Sequence, residues 1–277
     1  MNHTDLDGSA GRDNATFTLH RGRLPLLVSV PHVGTRIPAE LKPLYQARAL
    51  EVEDTDWHLD QLYDFARALG ASLIVPRFSR YVVDLNRPPE NTPMYAQANN
   101  TELCPTRFFT GEPLYRDGAA PDASRVIART ASYWRPYHRA LAAELERLRQ
   151  SHGHAVLWDG HSIKSELPWL FDGQLPDMNL GTADGASCAP ALRAAVVAVL
   201  QAQTGYSQVV DGRFKGGYIT RQYGRPAEGI HAIQLEMCWR TYMTEAPPFS
   251  LDPERVARLQ PLLQALLQAT LDWRPEA

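Results

Sequence analysis

Short apolar runs that end in polar residues alternate with amphipathic helical stretches along most of this chain. This alternation constrains the fold more than any other feature, because runs of roughly four to eight apolar residues bounded by turn-forming residues are typical of buried strands. Six segments predict strands: 24–30, 71–76, 79–87, 154–162, 205–212 and 231–237. Four segments with apolar residues at three- and four-residue spacing predict helices, the second bent near Pro136: 54–69, 124–150, 192–203 and 259–271.

Strands that alternate with helices are typical of a largely parallel sheet with helices on both faces. We therefore predict an α/β fold, with a single domain built on a mixed, mostly parallel sheet. The sequence contains no internal repeat and no Ser/Gly-rich linker that would mark a second domain. The polar residues 1–16 are expected to form a flexible N-terminal segment before one domain over 17–277.

Charge and cysteine content exclude several classes of protein. The 28 Lys and Arg residues against 31 Asp and Glu residues give a net charge of −3, which does not favour a nucleic-acid partner. Three cysteines do not make a disulfide framework and suit a reducing compartment. No apolar run approaches the roughly 18 residues that span a bilayer, and residues 1–16 lack the apolar stretch of a signal peptide. We expect a cytoplasmic enzyme with no membrane partner.

Polar residues stand at the ends of four predicted strands, where open α/β sheets bind their ligands. These strand ends carry His32, the Asp84-Leu85-Asn86-Arg87 element, Asp159 with His161, and Glu236. Two histidines and several carboxylates at one edge of a sheet form a ligand set suited to zinc. A catalytic zinc site takes three protein ligands and leaves a fourth position open.

The order of these segments resembles a known family. Six segments from about residue 26 to residue 243 are similar to those of the N-formylglutamate amidohydrolase family, within the zinc carboxypeptidase-like superfamily: SVPHVGTRIP, DTDWHLDQLY, SRYVVDLNRPPENTPMY, DGHSIKS, GRFKGGYITRQYG and QLEMCWRTYM. The resemblance implies a zinc carboxypeptidase-like fold. It also implies zinc-dependent hydrolysis of N-formyl-L-glutamate to formate and L-glutamate, a step of histidine degradation.

The resemblance implies one zinc ion held by His32, Asp56 and His161, with other divalent metals as alternatives. The sequence departs from the related peptidases at the second ligand, because their first pair is spaced H-x-x-E and Thr35 stands at that distance here. Asp56 is the expected replacement. Asp54, two residues earlier, is the alternative ligand, and its other interpretation is an N-cap of the predicted helix.

The resemblance also suggests catalytic roles. Glu236 is expected to be the general base that moves a proton from water to the departing amine. A structural role for Glu236 is disfavoured, since an ionised carboxylate is costly to bury without a partner. Arg80 is expected to stabilise the oxyanion, and its alternative is an ion pair with Asp84. Tyr218 is a second oxyanion donor and an expected substrate contact.

Basic residues are expected to bind the two carboxylates of the substrate, since guanidinium groups pair with carboxylates through two hydrogen bonds. By resemblance, Asn86 and Arg87 would take the α-carboxylate. The predicted loop over 212–221 supplies Arg213, Lys215 and Arg221, one or more of which would hold the side-chain carboxylate.

Three other functions stay open at this point. One is a zinc amidohydrolase or carboxypeptidase-like enzyme that acts on another N-acyl amino acid or a small peptide. Another is a binding protein without activity. The third is a cysteine hydrolase, although none of Cys104, Cys188 and Cys238 has a histidine at a spacing that suggests activation. In each case the expected partner is a small molecule, and the expected assembly is a monomer or small homo-oligomer.

Overall fold

A mixed sheet of seven strands organises the computed structural model, which describes residues 16–92 and 101–275. The strands are β1 (Phe17–His20), β2 (Leu26–Ser29), β3 (Ser72–Pro76), β4 (Ala155–Ile163), β5 (Met178–Gly181), β6 (Gln208–Val210) and β7 (Ile230–Cys238). Their order across the sheet is β1-β3-β2-β4-β7-β5-β6. Strands β2, β3, β4 and β7 are parallel to one another, whereas β1 and β5 pair antiparallel with β3 and β7. The predicted α/β fold with a mostly parallel sheet is confirmed.

Helices cover both faces of this sheet, as predicted. They are α1 (Leu59–Leu62), α2 (Phe65–Leu69), α3 (Ala123–Arg129), α4 (Arg135–His152), α5 (Pro190–Ala202), α6 (Tyr218–Tyr223) and α7 (Pro253–Asp272). Side chains of α1, α2, α5 and α7 pack on one face, together with Val156 and Trp158 of β4. Side chains of α4 and α6 pack on the other face, together with Ala155 and Leu157. This alternation along β4 explains why all nine of its residues are buried.

Residues 79–87 form an irregular buried segment, so the strand predicted there is wrong. Tyr81 and Val82 pack into one apolar cluster, while Val83 and Leu85 pack into another. Because successive apolar residues pack into clusters on opposite sides of the segment, the sequence pattern matches that of a strand buried on both faces. The backbone instead bonds locally and to a loop, since the Asp84 N–H donates to the Leu103 carbonyl at 2.7 Å.

The helix predicted over 54–69 begins only at Leu59. His58, the residue before it, has a φ of 62°, in the left-handed region that interrupts a helix. Residues 54–58 are therefore free to turn towards the sheet. The predicted stop at Gly70 is confirmed, since this glycine ends α2 with a φ of 90°.

The helix predicted over 124–150 consists of α3, a π-helical segment (Thr130–Trp134) and α4. The π-helical segment places Pro136 in the first turn of α4, where a missing N–H is tolerated. Strands β1 and β5 were not predicted, and α6 begins within the segment 212–221 that was predicted as a loop. No helix in the described ranges is long and apolar enough to cross a membrane. The predicted flexible segment falls, up to residue 15, outside the described residues, and the division into 1–16 and 17–277 stays a prediction.

His138 of α4 is buried among aromatic rings on the α4–α6 face. Its ring stacks on Trp134 at 3.7 Å between centroids and lies 5.9 Å from the ring of Tyr223. Its Nε2 lies 2.8 Å from the Leu85 carbonyl oxygen, and its Nδ1 lies 3.0 Å from the Tyr223 hydroxyl. Burial lowers the pKa of His138 to about 4, so the neutral ring is the form that the fold holds.

We expect acidification from pH 6.5 to pH 4 to destabilise the fold by on the order of 3 kcal/mol through His138 alone. The unfolded chain binds this proton near pH 6.5, whereas the folded chain binds it only near pH 4. The stabilisation that comes from the neutral His138 ring is therefore complete above pH 6.5 and is lost as the pH falls towards 4. Urea unfolding across this range should show a smaller acid-induced loss in His138→Gln. His152→Gln, which changes an exposed histidine of the same helix, is the control. The same loss in His138→Gln as in the wild type would contradict this prediction.

Candidate active site

Two adjacent strands place four polar side chains on the same face of the sheet. In the β4–β7 pair, His161 lies opposite Glu236 and Asp159 lies opposite Gln234. Residues two apart in a strand point to the same face, so these side chains form two neighbouring rows. All four are buried at the carboxyl ends of the strands. This is the edge at which the sequence predicts a ligand site.

A cavity of about 90 Å³ opens over these rows. Eight of the ten predicted site residues line it: His32, Asp56, Arg80, Asn86, Arg87, His161, Arg213 and Glu236. The structure therefore brings together residues as distant in the sequence as His32 and Glu236. A cavity that combines imidazole, carboxylate and guanidinium groups is suited to a charged small molecule.

His32, Asp56 and His161 face one another in this cavity, with one potential ligand atom from each within 4.8 Å of the others. Asp56 Oδ2 lies 3.1 Å from His161 Nδ1 and 3.5 Å from His32 Nδ1. His32 Nδ1 is buried and has no hydrogen-bond partner among the described residues. Two imidazole nitrogens and a carboxylate oxygen are donors that zinc prefers, so this group fits a divalent metal ion.

Two further carboxylates hold the histidine rings in this orientation. His32 Nε2 lies 2.7 Å from Asp84 Oδ1, and His161 Nε2 lies 3.2 Å from Asp159 Oδ2. A carboxylate on one ring nitrogen turns the other nitrogen towards the metal and is a recurrent feature of metal sites. Burial acts to lower the pKa of His161, but Asp159 and Asp56 outweigh it and hold this pKa well above 6.5.

Arg80 links the two acidic positions beside His32. Its Nη2 donates to Asp84 Oδ2 at 2.7 Å, and its Nη1 lies 3.6 Å from Asp56 Oδ1. The guanidinium group also lies 4.5 Å from the centre of the Phe109 ring. Burial acts to raise the pKa of Asp84, but His32 and Arg80 hold it well below its usual range. The ion pair between Arg80 and Asp84 is thus present, and the Arg80 side chain lines the cavity as well.

The segment before α1 carries Asp56 to the histidines. The Asp56 N–H donates to the carbonyl oxygen of His32 at 3.1 Å, and the Ser162 N–H donates to Asp56 Oδ2 at 3.2 Å. These bonds tie the segment to the ends of β2 and β4. Burial raises the pKa of an isolated carboxylate, but His32 and His161 outweigh this effect and lower the pKa of Asp56.

Asp54 turns away from the histidines and holds a loop instead. Its Oδ2 accepts hydrogen bonds from the Tyr81 hydroxyl at 2.8 Å and from the Phe109 N–H at 2.9 Å. Burial raises the pKa of Asp54 to about 6. The N-cap interpretation of Asp54 is wrong, because the residue that precedes α1 is His58. Asp54 fixes the backbone of Phe109, which forms a wall of the cavity.

Glu236 is 7% exposed and lines the cavity beside His161. Burial raises the pKa of Glu236 to about 8, while His161 and Arg80 act in the opposite direction. A carboxyl group with a pKa near neutrality can both accept and donate a proton at physiological pH.

Asn86 and Arg87 end the irregular segment 79–87 and line the cavity. Asn86 Oδ1 accepts from the Ile219 N–H at 2.8 Å, which turns the Asn86 Nδ2 to within 3.1 Å of His161 Nε2. Arg87 donates to the carbonyl oxygen of Thr101 at 3.0 Å and to its hydroxyl at 2.8 Å. The Asn86 side chain therefore contacts the ring of His161, while Thr101 holds Arg87 at the cavity wall.

Of the basic residues predicted in the 212–221 segment, Arg213 lines the cavity, and its Nη2 donates to the Leu170 carbonyl at 3.2 Å. Lys215 forms an exposed ion pair at 2.9 Å. Arg221 is exposed and donates to a backbone carbonyl of its own loop at 2.9 Å. Tyr218 begins α6 and packs beside Trp134 rather than on the cavity wall. Substrate roles for Tyr218 and Arg221 stay predictions.

Three polar lining residues were given no role from the sequence: Thr101, Ser162 and Gln234. Gln234 stands in a strand end that the sequence singles out, and a role could have been assigned to it, because a glutamine inside the apolar run HAIQLEM needs hydrogen-bond partners when it is buried. Ser162 directly follows His161 at the end of β4, where the strand-end argument applies to it equally. Thr101 follows residues that the sequence pattern left unassigned.

The three cysteines lie outside the residues that line this cavity, and all of them are buried. Burial raises the pKa of Cys104 to about 11 and the pKa values of Cys188 and Cys238 to about 12. Thiols with raised pKa values are poor nucleophiles, so the structure argues against a cysteine hydrolase.

The chain is similar in sequence and in fold to known proteins. Residues 24–243 match the N-formylglutamate amidohydrolase family. Two curated relatives, each named N-formylglutamate deformylase, from Pseudomonas putida and Pseudomonas aeruginosa, are 50% identical over 260 residues, which cover 94% of this chain and 97% of each relative. The solved structure of N-formylglutamate amidohydrolase from Ralstonia eutropha JMP134 is 28% identical with a TM-score of 0.76, covering 93% of this chain and 96% of that one. A gene product of Agrobacterium tumefaciens shares the fold, at 18% identity and a TM-score of 0.68, covering 92% of this chain and 94% of that one.

Proposed function

Because this chain belongs to the N-formylglutamate amidohydrolase family, we propose that it hydrolyses N-formyl-L-glutamate to formate and L-glutamate. We assign the reaction to histidine degradation as part of the same proposal. One observation supports it most directly. A single buried cavity combines a facing His-Asp-His group, a carboxylic acid with a raised pKa, and guanidinium groups that can bind a dicarboxylate.

We propose a zinc ion as the cofactor, held by His32, Asp56 and His161. The support is the unpartnered buried Nδ1 of His32 and the carboxylates behind both rings, which leave the Nδ1 atoms facing Asp56. When bound in a site with three protein ligands, zinc supplies a Lewis acid that makes water a stronger nucleophile near neutral pH. Proton transfer, charge stabilisation and substrate binding are assigned to residues of the chain.

Glu236 is proposed to accept the proton of the attacking water and then to deliver it to the departing amine nitrogen. Its position beside His161 and its raised pKa suit both transfers. Arg80 is proposed to stabilise the negative charge that develops on the formyl oxygen. Because its guanidinium group is already fixed by Asp84 and Phe109, it needs little rearrangement during the reaction.

The substrate carboxylates are proposed to pair with separate arginines. Arg87, with Asn86 beside it, takes the α-carboxylate, and Arg213 takes the side-chain carboxylate. Among the three basic candidates of the 212–221 segment, Arg213 is the one that lines the cavity. Two arginines for two carboxylates match the charge of an N-acylated acidic amino acid.

The proposal is tested by measuring formate release from N-formyl-L-glutamate beside the turnover of N-acetylglutamate, N-formylaspartate and a dipeptide. We expect clear preference for N-formylglutamate, loss of activity after chelation, and recovery on addition of zinc. Comparable turnover of the dipeptide or the acetyl compound would instead support an enzyme for other N-acyl amino acids. Absence of all turnover in the zinc-loaded protein would support a binding protein.

A further inference from the structure

Gln234 lines the cavity, and the oxygen of its carboxamide is already hydrogen-bonded within the protein. It is 3% exposed and stands on β7, two residues before Glu236 and on the same face. Its Oε1 accepts a hydrogen bond from the Gly217 N–H at 2.7 Å. Because an N–H can only donate, this bond fixes the orientation of the carboxamide. The Nε2 has no protein partner in the described ranges, and Gln234 lines the cavity, so the site gains a fixed donor.

The loop that holds Gln234 is closely packed at two points. A Cβ at Gly217 would lie 2.2 Å from Asn86 Nδ2, and a Cβ at Gly181, which pairs with Gln234 across the sheet, would lie 2.5 Å from the Gly216 nitrogen. The loop is thus packed against both Asn86 and β5. The same loop carries Arg213, so a charged donor from the loop and a neutral donor from β7, which the loop holds through Gly217, both reach the cavity.

Resting on the proposed function, we propose that Gln234 donates a hydrogen bond to the side-chain carboxylate of the substrate and thereby determines specificity for it. The proposed reaction centre lies beside Glu236, and Gln234 stands two residues earlier on β7, a spacing of about 6.6 Å at about 3.3 Å per residue. From ordinary bond lengths, the side-chain carboxyl carbon of extended N-formylglutamate lies about 6 Å from the formyl carbon, and the α-carboxyl carbon lies under about 4 Å. The spacing therefore matches the side-chain carboxylate.

Two donors in one cavity distinguish a carboxylate from a carboxamide. Arg213 and the Gln234 Nε2 can each donate to one oxygen of a carboxylate. A carboxamide of the same shape has one oxygen and one NH₂, so its NH₂ must face a donor. Gln234 thus selects a glutamate side chain over a glutamine side chain.

The test exchanges the donor for an acceptor while it keeps the bond to Gly217. In Gln234→Glu, we expect kcat/KM for N-formylglutamate to fall about 10- to 100-fold relative to kcat/KM for N-formylglutamine, the usual loss for one hydrogen bond to a charged group. In Gln234→Met, we expect a fall of about tenfold for N-formylglutamate and little change for N-formylglutamine. Gln203→Met is the matched control, since the Gln203 Nε2 bonds two backbone carbonyls near the end of α5. It should leave the substrate ratio unchanged.

Binding of the products separates this inference from the proposed function. The Kd values of L-glutamate and L-glutamine are measured by calorimetry for the wild type and both Gln234 variants, after circular dichroism shows that each is folded. A ratio of Kd values that shifts against glutamate in the variants supports the assignment even without turnover. An unchanged ratio in folded variants overturns it, whereas failure of the wild type to release formate overturns only the proposed function.

Discussion

Glu236→Gln is expected to lower kcat for N-formylglutamate hydrolysis by about 10²- to 10⁴-fold, the usual contribution of a general base. The carboxamide has the same shape as the carboxyl group and fits the same place opposite His161. It cannot take up a proton, so only the proton transfers are lost. We expect KM to change little, because Glu236 is not proposed to bind either substrate carboxylate. Initial rates of formate release, with zinc content measured on the same sample, test this expectation.

A control and a graded variant define the Glu236 result. Glu245→Gln changes a carboxylate that bonds Ser165, outside the cavity that contains Glu236, and should leave kcat within about threefold of the wild type. Glu236→Asp keeps the carboxylate but moves it back by one methylene group, so activity between that of the wild type and that of Glu236→Gln is expected. Retention of most activity in Glu236→Gln with full zinc content would contradict the assignment of the base.

Asp56→Asn is expected to lower the affinity for zinc by more than about 100-fold and to abolish activity at limiting zinc. Substitution of residues that hydrogen-bond to metal ligands typically lowers metal affinity 10- to 100-fold, and loss of the anionic ligand itself should lower it further. The metal-free fold should also weaken by about 3 kcal/mol or more, because His161 and Arg80 lose a buried partner charge. Zinc titration with a competing chelator and urea unfolding measure the two effects.

Asp54→Asn is the matched control for this variant. Both aspartates are buried in the same short segment, but Asp54 faces Tyr81 and Phe109. An amide oxygen accepts hydrogen bonds from the same donors, so Asp54→Asn should retain zinc affinity near that of the wild type. Loss of zinc in Asp54→Asn together with retention in Asp56→Asn would reverse the proposed ligand assignment.

The sheet could be predicted from the sequence where a strand is long and buried on both faces. The nine-residue strands β4 and β7 read as continuous apolar runs that end in polar residues, which located His161 and Glu236. Strand β5 has only four residues and no strong pattern, so its antiparallel pairing was missed. Residues 79–87 show the opposite error, since a strand was predicted where none forms. Their burial comes from packing into two apolar clusters rather than from strand pairing.

Where a site residue depends on loop geometry, the sequence alone could not distinguish it from neighbouring candidates. Asp54 and Asp56 have the same chemistry two positions apart, and the bonds of Asp56 to His32 and Ser162 decide which one faces the histidines. Similarly, the position of Arg213 on the cavity wall depends on how its loop crosses β5. Such choices depend on contacts between distant segments, which spacing along the chain does not encode.

If the proposed roles of His161 and Glu236 hold, the pairing of β4 with β7 makes the alignment of these strands a condition for activity. His161 and Glu236 meet because the two strands are paired at one particular offset. A slip of β7 by a single residue would turn Glu236 to the opposite side of the sheet, since side chains alternate at every position. Insertions or deletions that shift this strand are therefore expected to abolish activity even though every side chain of the proposed site is still present in the chain.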